Sequence, residues 1–145
     1  MIAVDTNVLV YAHRRDSEFH TLAAEAIQRL AGHSEVWAIP WPCVHEFLSV
    51  ATNPRIFKLP TPLETAIAQV EIWQESPSLR FIGEHTRYWE NLSVILRHGN
   101  ITGSKVHDAR ITAICKAHGV RELWTADRDF SRIAGIGIRN PLLTN

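Results

Sequence analysis

The spacing of apolar positions changes period along the chain, and each change marks an element. Ile2, Ala3 and Val4 form a short continuous apolar run that reads as a buried strand. Val8, Leu9, Tyr11 and Ala12 then cluster as one or two turns of helix do. After the polar stretch His13–Ser17, the positions Leu22, Ala23, Ala26, Ile27 and Leu30 share one face of a helix from about Glu18 to Leu30. Asp16 or Ser17 is placed to cap it and Ala31-Gly32-His33 to end it. Val36–Ile39 reads as a second strand stopped by Pro40, and Pro42 suits the first turn of a helix carrying Val44, Phe47, Leu48 and Ala51. Asn53-Pro54 closes that helix. Thr61-Pro62-Leu63-Glu64 has the form of a capping box, heading a helix to about Glu75 that is predicted to bury Leu63, Ile67, Val70 and Trp73. Leu79–Ile82 is the third strand. Thr86 is placed to cap a helix with Trp89, Leu92, Ile95 and Leu96 inward and Gly99 at its end. Val106–His118 is a further helix ended by Gly119, Glu122–Thr125 a fourth strand, and Ile136–Ile138 a fifth.

Strands alternating with helices of ordinary length imply βαβ units. The expected fold is therefore α/β: a mostly parallel sheet of four to five strands covered by helices on both faces, in three αβα layers. No repeat or linker divides the chain, so residues 1–145 are expected to form one domain. The two consecutive helices, 42–53 and 62–75, are predicted to make an αα-hairpin standing out from the sheet. Composition supports an ordinary globular protein, with 46% apolar and 21% charged residues. No apolar run approaches the roughly 18 residues of a membrane span, and the N-terminus lacks the basic and long apolar segments of a signal peptide. The two cysteines, Cys43 and Cys115, suggest neither a disulfide framework nor a zinc site, so a reducing cytoplasm is the expected compartment. Fifteen basic residues balance fifteen acidic ones, and whole-molecule charge selects no partner.

Four carboxylates stand where chemistry would want them. Asp5 ends the first strand, Asp127 follows the fourth, Asp108 lies in the first turn of the helix from Val106, and Glu46 sits off the apolar face of its helix. A parallel sheet gathers strand ends and following helix starts at one edge, where open α/β sheets bind ligands. Each acid has a plain structural role open to it: capping for Asp5, dipole compensation for Asp108, solvation for Glu46, and turn formation for Asp127 and Asp129. Together they point elsewhere. Clustered carboxylates raise one another's pKa unless a cation neutralises them, and an all-oxygen set selects Mg²⁺ or Mn²⁺. Such an ion activates water against a phosphate ester. Competing motifs fail: His45-Glu46-Phe47-Leu48-Ser49 lacks the second histidine of a zincin, and Gly99–Lys105 has the wrong spacing for a phosphate loop and follows a helix. Of the eight histidines only His107 is expected near the acids.

With these residues in view, the chain resembles the PIN-domain ribonucleases, and among them the VapC-type toxins of type II toxin–antitoxin pairs. The resemblance is carried by residues 2–12, Glu46, His107-Asp108-Ala109-Arg110-Ile111 and Trp124-Thr125-Ala126-Asp127-Arg128-Asp129-Phe130. It implies an acidic quartet of Asp5, Glu46, Asp108 and Asp127, with Asp5 and Asp108 as metal ligands. Thr6, Asn7 and Thr125 would orient ligands or waters, and Asp129 would be an auxiliary acid. It further implies a metal-dependent endoribonuclease, a cognate antitoxin that threads a segment along the toxin's groove, and a homodimer. Because the acids repel phosphate, Arg14, Arg15, Lys105, Arg110 and Arg128 are the expected RNA contacts. The alternative is a non-catalytic, receiver-like acidic module binding Mg²⁺ or RNA. A receiver needs an aspartate ending a middle strand, whereas the third strand here ends Ile82-Gly83-Glu84. A haloacid-dehalogenase-type phosphatase needs Asp-x-Asp, and Asn7 stands at the second position.

Overall fold

The computed structural model describes residues 1–133 and 135–144. Strand β1 (Ile2–Val4) leads directly into α1 (Thr6–His13), followed by α2 (His20–Gly32), β2 (Trp37–Pro40) and α3 (Trp41–Ala51). Then come α4 (Leu63–Gln74), β3 (Leu79–Ile82), α5 (Tyr88–Gly99), α6 (Lys105–Ala117) and β4 (Glu122–Trp124). A short 3₁₀ turn (Arg128–Arg132) precedes β5 (Gly137–Arg139). Among the described residues no helix is long and apolar enough to cross a membrane.

All strand pairs are parallel, in the order β3-β2-β1-β4-β5. The chain builds outward from β1 to β3, then returns to place β4 against the other side of β1. The gap between β1 and β4 is thus the topological switch point, where following helices leave in opposite directions and open a crevice at the carboxyl ends of the strands. Register brings Val4 level with Trp124, so Asp5 and Thr125 emerge side by side; the Asp5 N–H donates to the Trp124 carbonyl at 3.0 Å. Every residue of β2 is buried, as expected of a strand covered on both faces. The main core joins Val4, Leu9, Ile39, Phe47, Ile114 and Leu123, and a smaller cluster ties α5 to α6 through Leu92, Ile95, Ala109 and Ala113.

Several local expectations are corrected. The αα-hairpin does not stand clear of the sheet: α3 packs on α1 and β2, and α4 reaches β3, because Ala66 and Trp73 are buried there. Leu63 is 61% exposed, since the face of α4 that turns inward is set by Ala66 and Trp73. The Thr61 capping box does not form; α4 has no side-chain cap, and the Thr61 hydroxyl pairs with His13 and Arg14. None of Asp16, Ser17 and Thr86 caps a helix, α2 and α5 starting without side-chain caps; the Ser17 hydroxyl accepts instead from the Phe19 N–H, one residue before α2, at 3.1 Å. Trp89 is 66% exposed while Leu92 and Ile95 carry the inward stripe of α5. That helix ends with Asn100, not Gly99, in the left-handed conformation at φ 47°, a place asparagine takes where glycine is absent.

Candidate active site

Asp5 is the buried centre of the crevice. Its Oδ1 accepts from the Thr6 N–H at 2.8 Å, which makes Asp5 the cap of α1, and from the Cys43 thiol at 3.5 Å. Its Oδ2 accepts from the Thr125 hydroxyl at 2.7 Å and the Asn7 amide at 3.3 Å. Capping and site geometry are therefore the same arrangement. The Thr125 hydroxyl, having donated to Asp5, accepts from the Asp127 N–H at 3.0 Å and from the Asn7 amide at 3.1 Å. Asn7 Oδ1 accepts from the Ala126 N–H at 3.0 Å. Three side chains thus lock the turn after β4 to the turn after β1. Thr6 extends the lock to α3: its hydroxyl oxygen lies 3.2 Å from Glu46 Oε2 and 3.4 Å from the Cys43 carbonyl oxygen, and its one proton serves these two acceptors. Asp127 caps the 3₁₀ turn by accepting from the Asp129 N–H at 2.9 Å.

Asp5, Glu46, Asp108 and Asp127 all line one cleft of about 400 Å³, which they share with the apolar side chains of Val10, Tyr11, Val50, Ile56, Phe57 and Phe130. The cleft raises the affinity of its acids for protons. Burial pushes the Asp5 carboxyl from its ordinary 3.8 up to about 6, against the lowering by its hydrogen bonds from Thr125, Thr6 and Cys43. Asp108 is also raised, first by burial and then by the charges of Asp127, Glu46 and Asp129. Two carboxyls displaced upward, with like charges among the causes, is the signature of a site short of positive charge. Asp129 is exposed beside Asp127.

The predicted cations divide. Arg15, Lys105 and Arg128 are exposed, and Lys105 is close enough to Asp108 to oppose its upward shift. Arg110 is half-buried on α6, its Nε donating to Glu84 at 2.9 Å. Arg14 departs from expectation. Its guanidinium is buried, paired with Asp16 through Nε and Nη2, donating through Nη1 to the Leu59 carbonyl at 2.8 Å, and stacked 4.0 Å over the Phe57 ring. It fastens the α3–α4 connection, which carries Ile56 and Phe57 to the cleft, so it is not a free phosphate contact.

The PIN domain profile matches residues 2–136. This chain belongs to the PIN-domain family. Its relatives within the family include Ribonuclease VapC48 of Mycobacterium tuberculosis, 34% identical over 138 residues and 94% of each chain. Ribonuclease VapC43 of the same organism is 31% identical over 142 residues, 98% of this chain and 96% of its own. Likeness in fold extends further. VapC20 of M. tuberculosis, described as a sarcin–ricin loop cleaving toxin, superposes with a TM-score of 0.66 at 19% identity, covering 94% of this chain and 98% of its own. VapBC2 of Rickettsia felis, solved on a promoter DNA fragment, gives 0.67 at 21% identity over 97% and 98%.

The acids of this PIN domain fit a hard divalent cation by donor type: all are carboxylates, and their mutual repulsion is what such a charge relieves. Among the described residues, however, no three His, Cys, Asp or Glu side chains are drawn into a tight metal-holding group. Sequence reasoning missed Cys43, whose thiol touches Asp5, and the apolar wall of Tyr11, Phe57 and Phe130. Cys43 follows Pro42 and faces inward on α3, and only its place opposite Asp5 gives it meaning. His107 lies, as expected, near Asp108, in the wall of the neighbouring cavity.

Proposed function

We propose that residues 1–145 act as a single nuclease domain, the toxin of a toxin–antitoxin pair, which hydrolyses RNA phosphodiester bonds with Mg²⁺ or Mn²⁺ as cofactor. The observation that carries this reading is the convergence of Asp5, Glu46, Asp108 and Asp127 on one cleft with Asp5 and Asp108 shifted toward the protonated form. The kinship with proteins named as VapC ribonucleases supports RNA as substrate.

In this reading Asp5 and Asp108 hold the ion. A bound divalent ion supplies hydroxide from water near neutral pH and stabilises charge developing on the phosphoryl oxygens. The chain's own side chains do the positioning. Thr125 and Asn7 fix Oδ2 of Asp5, and the Thr6 N–H fixes Oδ1, so the carboxylate cannot rotate away. Thr6 steadies Glu46, which with Asp127 orients the attacking water and accepts its proton. Arg15, Lys105, Arg110 and Arg128 hold the flanking phosphates, while Asp129 stays auxiliary. The apolar half of the cleft gives the antitoxin segment a surface to cover, as the VapBC assemblies among the structural relatives suggest. The complete particle is a cytoplasmic homodimer with its antitoxin bound.

Among the described residues no serine or activated cysteine lines the cleft: burial pushes the neighbouring Cys43 thiol well above its ordinary value, where it stays protonated. Direct attack by water should leave a 5′-phosphate and a 3′-hydroxyl. End-group analysis of RNA cut by the purified protein, with and without EDTA, tests the reading. Cyclic-phosphate ends, or activity that persists in EDTA, would overturn it. Asp108→Asn should lower kcat by at least about 100-fold, the scale of losing an acid–base or charge-stabilising group.

A further inference from the structure

A second cavity, of about 570 Å³, opens beside the acidic cleft and shares Glu46, Asp108 and Ile111 with it. Its chemistry differs. Where the acidic cleft is backed by Tyr11, Phe57 and Phe130, the second is walled by His45, Ser49, Ser104, His107 and Arg110. A polymer held with one phosphate at the acids must leave them on both sides, and this cavity adjoins the acids through the shared Glu46 and Asp108.

The cavity also holds the end of an aromatic ladder. Phe81 of β3 and Trp41 of α3 stack with centroids 4.7 Å apart and planes at 20°. Trp41 and His45 stack in turn at 6.3 Å and 29°. His45 is exposed and Trp41 is 40% exposed. The ladder has a prepared seat: a Cβ on Gly83 would come within 3.3 Å of Trp41 Cδ1, closer than ordinary contact. The Gly83 carbonyl is fixed by His118 Nε2 at 2.9 Å. Beside it, Glu84 engages Nε and Nη2 of Arg110, which orients the guanidinium in the cavity wall. A flat ring, an oriented cation and several hydroxyl and imidazole donors are what single-stranded nucleic acid requires, since every base offers a π-face and every step a phosphate. A protein segment would call instead for an apolar groove, and the apolar side chains Tyr11, Ile56, Phe57 and Phe130 line the acidic cleft, not this cavity.

We infer that the second cavity is a nucleotide subsite for the residue next to the cut, its base stacked on His45 over Trp41 and its phosphate held by Arg110. Ser49, Ser104 and His107 are then the donors and acceptors for the base edge. The inference rests on the ribonuclease reading above, and names where the substrate strand runs.

The test is fluorescence anisotropy with the full chain in Ca²⁺ buffer, using labelled hexa-adenylate and a fully abasic ribose-phosphate hexamer as probes. His45→Ala should weaken hexa-adenylate binding by about 5- to 150-fold, the range that losing one base–aromatic stack gives. It should leave the abasic probe unchanged. Trp41→Leu should act in the same direction. Trp41 packs on Phe81, so circular dichroism and melting accompany that variant; the exposed His45 decides the matter alone if Trp41→Leu unfolds. Equal hexa-adenylate affinity in wild type and His45→Ala, or equal losses on both probes, would overturn the subsite. If the wild type cuts RNA and His45→Ala matches it in KM and affinity, the inference alone is lost. A wild type that binds neither probe and cuts no RNA with any divalent metal overturns the ribonuclease reading and the subsite with it.

Discussion

Asp5→Asn offers the most direct test of how the site is charged, because its effect on stability should change sign with pH. In the folded metal-free protein burial raises the Asp5 carboxyl to about 6, against 3.8 when unfolded. Between these values the folded state holds a proton that the unfolded state has released, so stability falls as pH rises through the window. At about 1.4 kcal/mol per unit, a shift of roughly two units costs about 3 kcal/mol above pH 6 relative to below 3.8. Asparagine does not titrate and escapes that loss. It has its own, because its NH₂ group would meet the Thr125 hydroxyl, which already accepts from Asp127 and Asn7. That mismatch costs about 1–3 kcal/mol at every pH. The variant should therefore be the less stable protein near pH 4 and should gain on the wild type by about 3 kcal/mol by pH 7. For a chain of this size that gain corresponds to about 6–12 °C in relative Tm. The assay is thermal or urea unfolding of both proteins in EDTA from pH 3.5 to 7.5. Taking the difference cancels the other carboxylates, including Asp16 and Glu84, which are shifted the opposite way. Mg²⁺ or Mn²⁺ should then stabilise the wild type and leave the variant unmoved. A stability difference that stays flat across the window would refute the reasoning.

Thr125→Val removes the hydroxyl that serves Asp5, Asp127 and Asn7 together; it should cost about 2–3 kcal/mol by urea unfolding and lower kcat, with Thr125→Ser restoring both. Arg14→Ala should destabilise the fold by about 2 kcal/mol through the lost Leu59 bond and Phe57 stacking, yet leave the salt dependence of RNA binding unchanged. Arg15→Ala and Arg128→Ala should do the reverse, each lowering the slope of log affinity against log salt by about one without changing the Tm.

Much of this protein is legible in its sequence because it depends on local chemistry. The apolar run Ile2–Val4 can only be a buried strand, and Asp5-Thr6-Asn7 both stops it and starts the next helix. The same logic places Leu79–Ile82 and the helix before Gly119, where φ is +74° and a side chain would be strained. The acids could be named because each stands at a strand end or on the helix that follows. What the sequence left open is which strands are neighbours, since period and capping say nothing about pairing partners far along the chain. Only the tertiary order, with β4 returning beside β1, sets Thr125 2.7 Å from Asp5 across 120 residues of chain. The local rules failed where a distant partner made the better offer. Thr61 gave its hydroxyl to His13 and Arg14 instead of capping α4, and Arg14 was drawn from solvent by Asp16, Leu59 and Phe57. Leu63 and Trp89 stayed outside because the direction in which α4 and α5 face is fixed by what they pack on, not by their own apolar content.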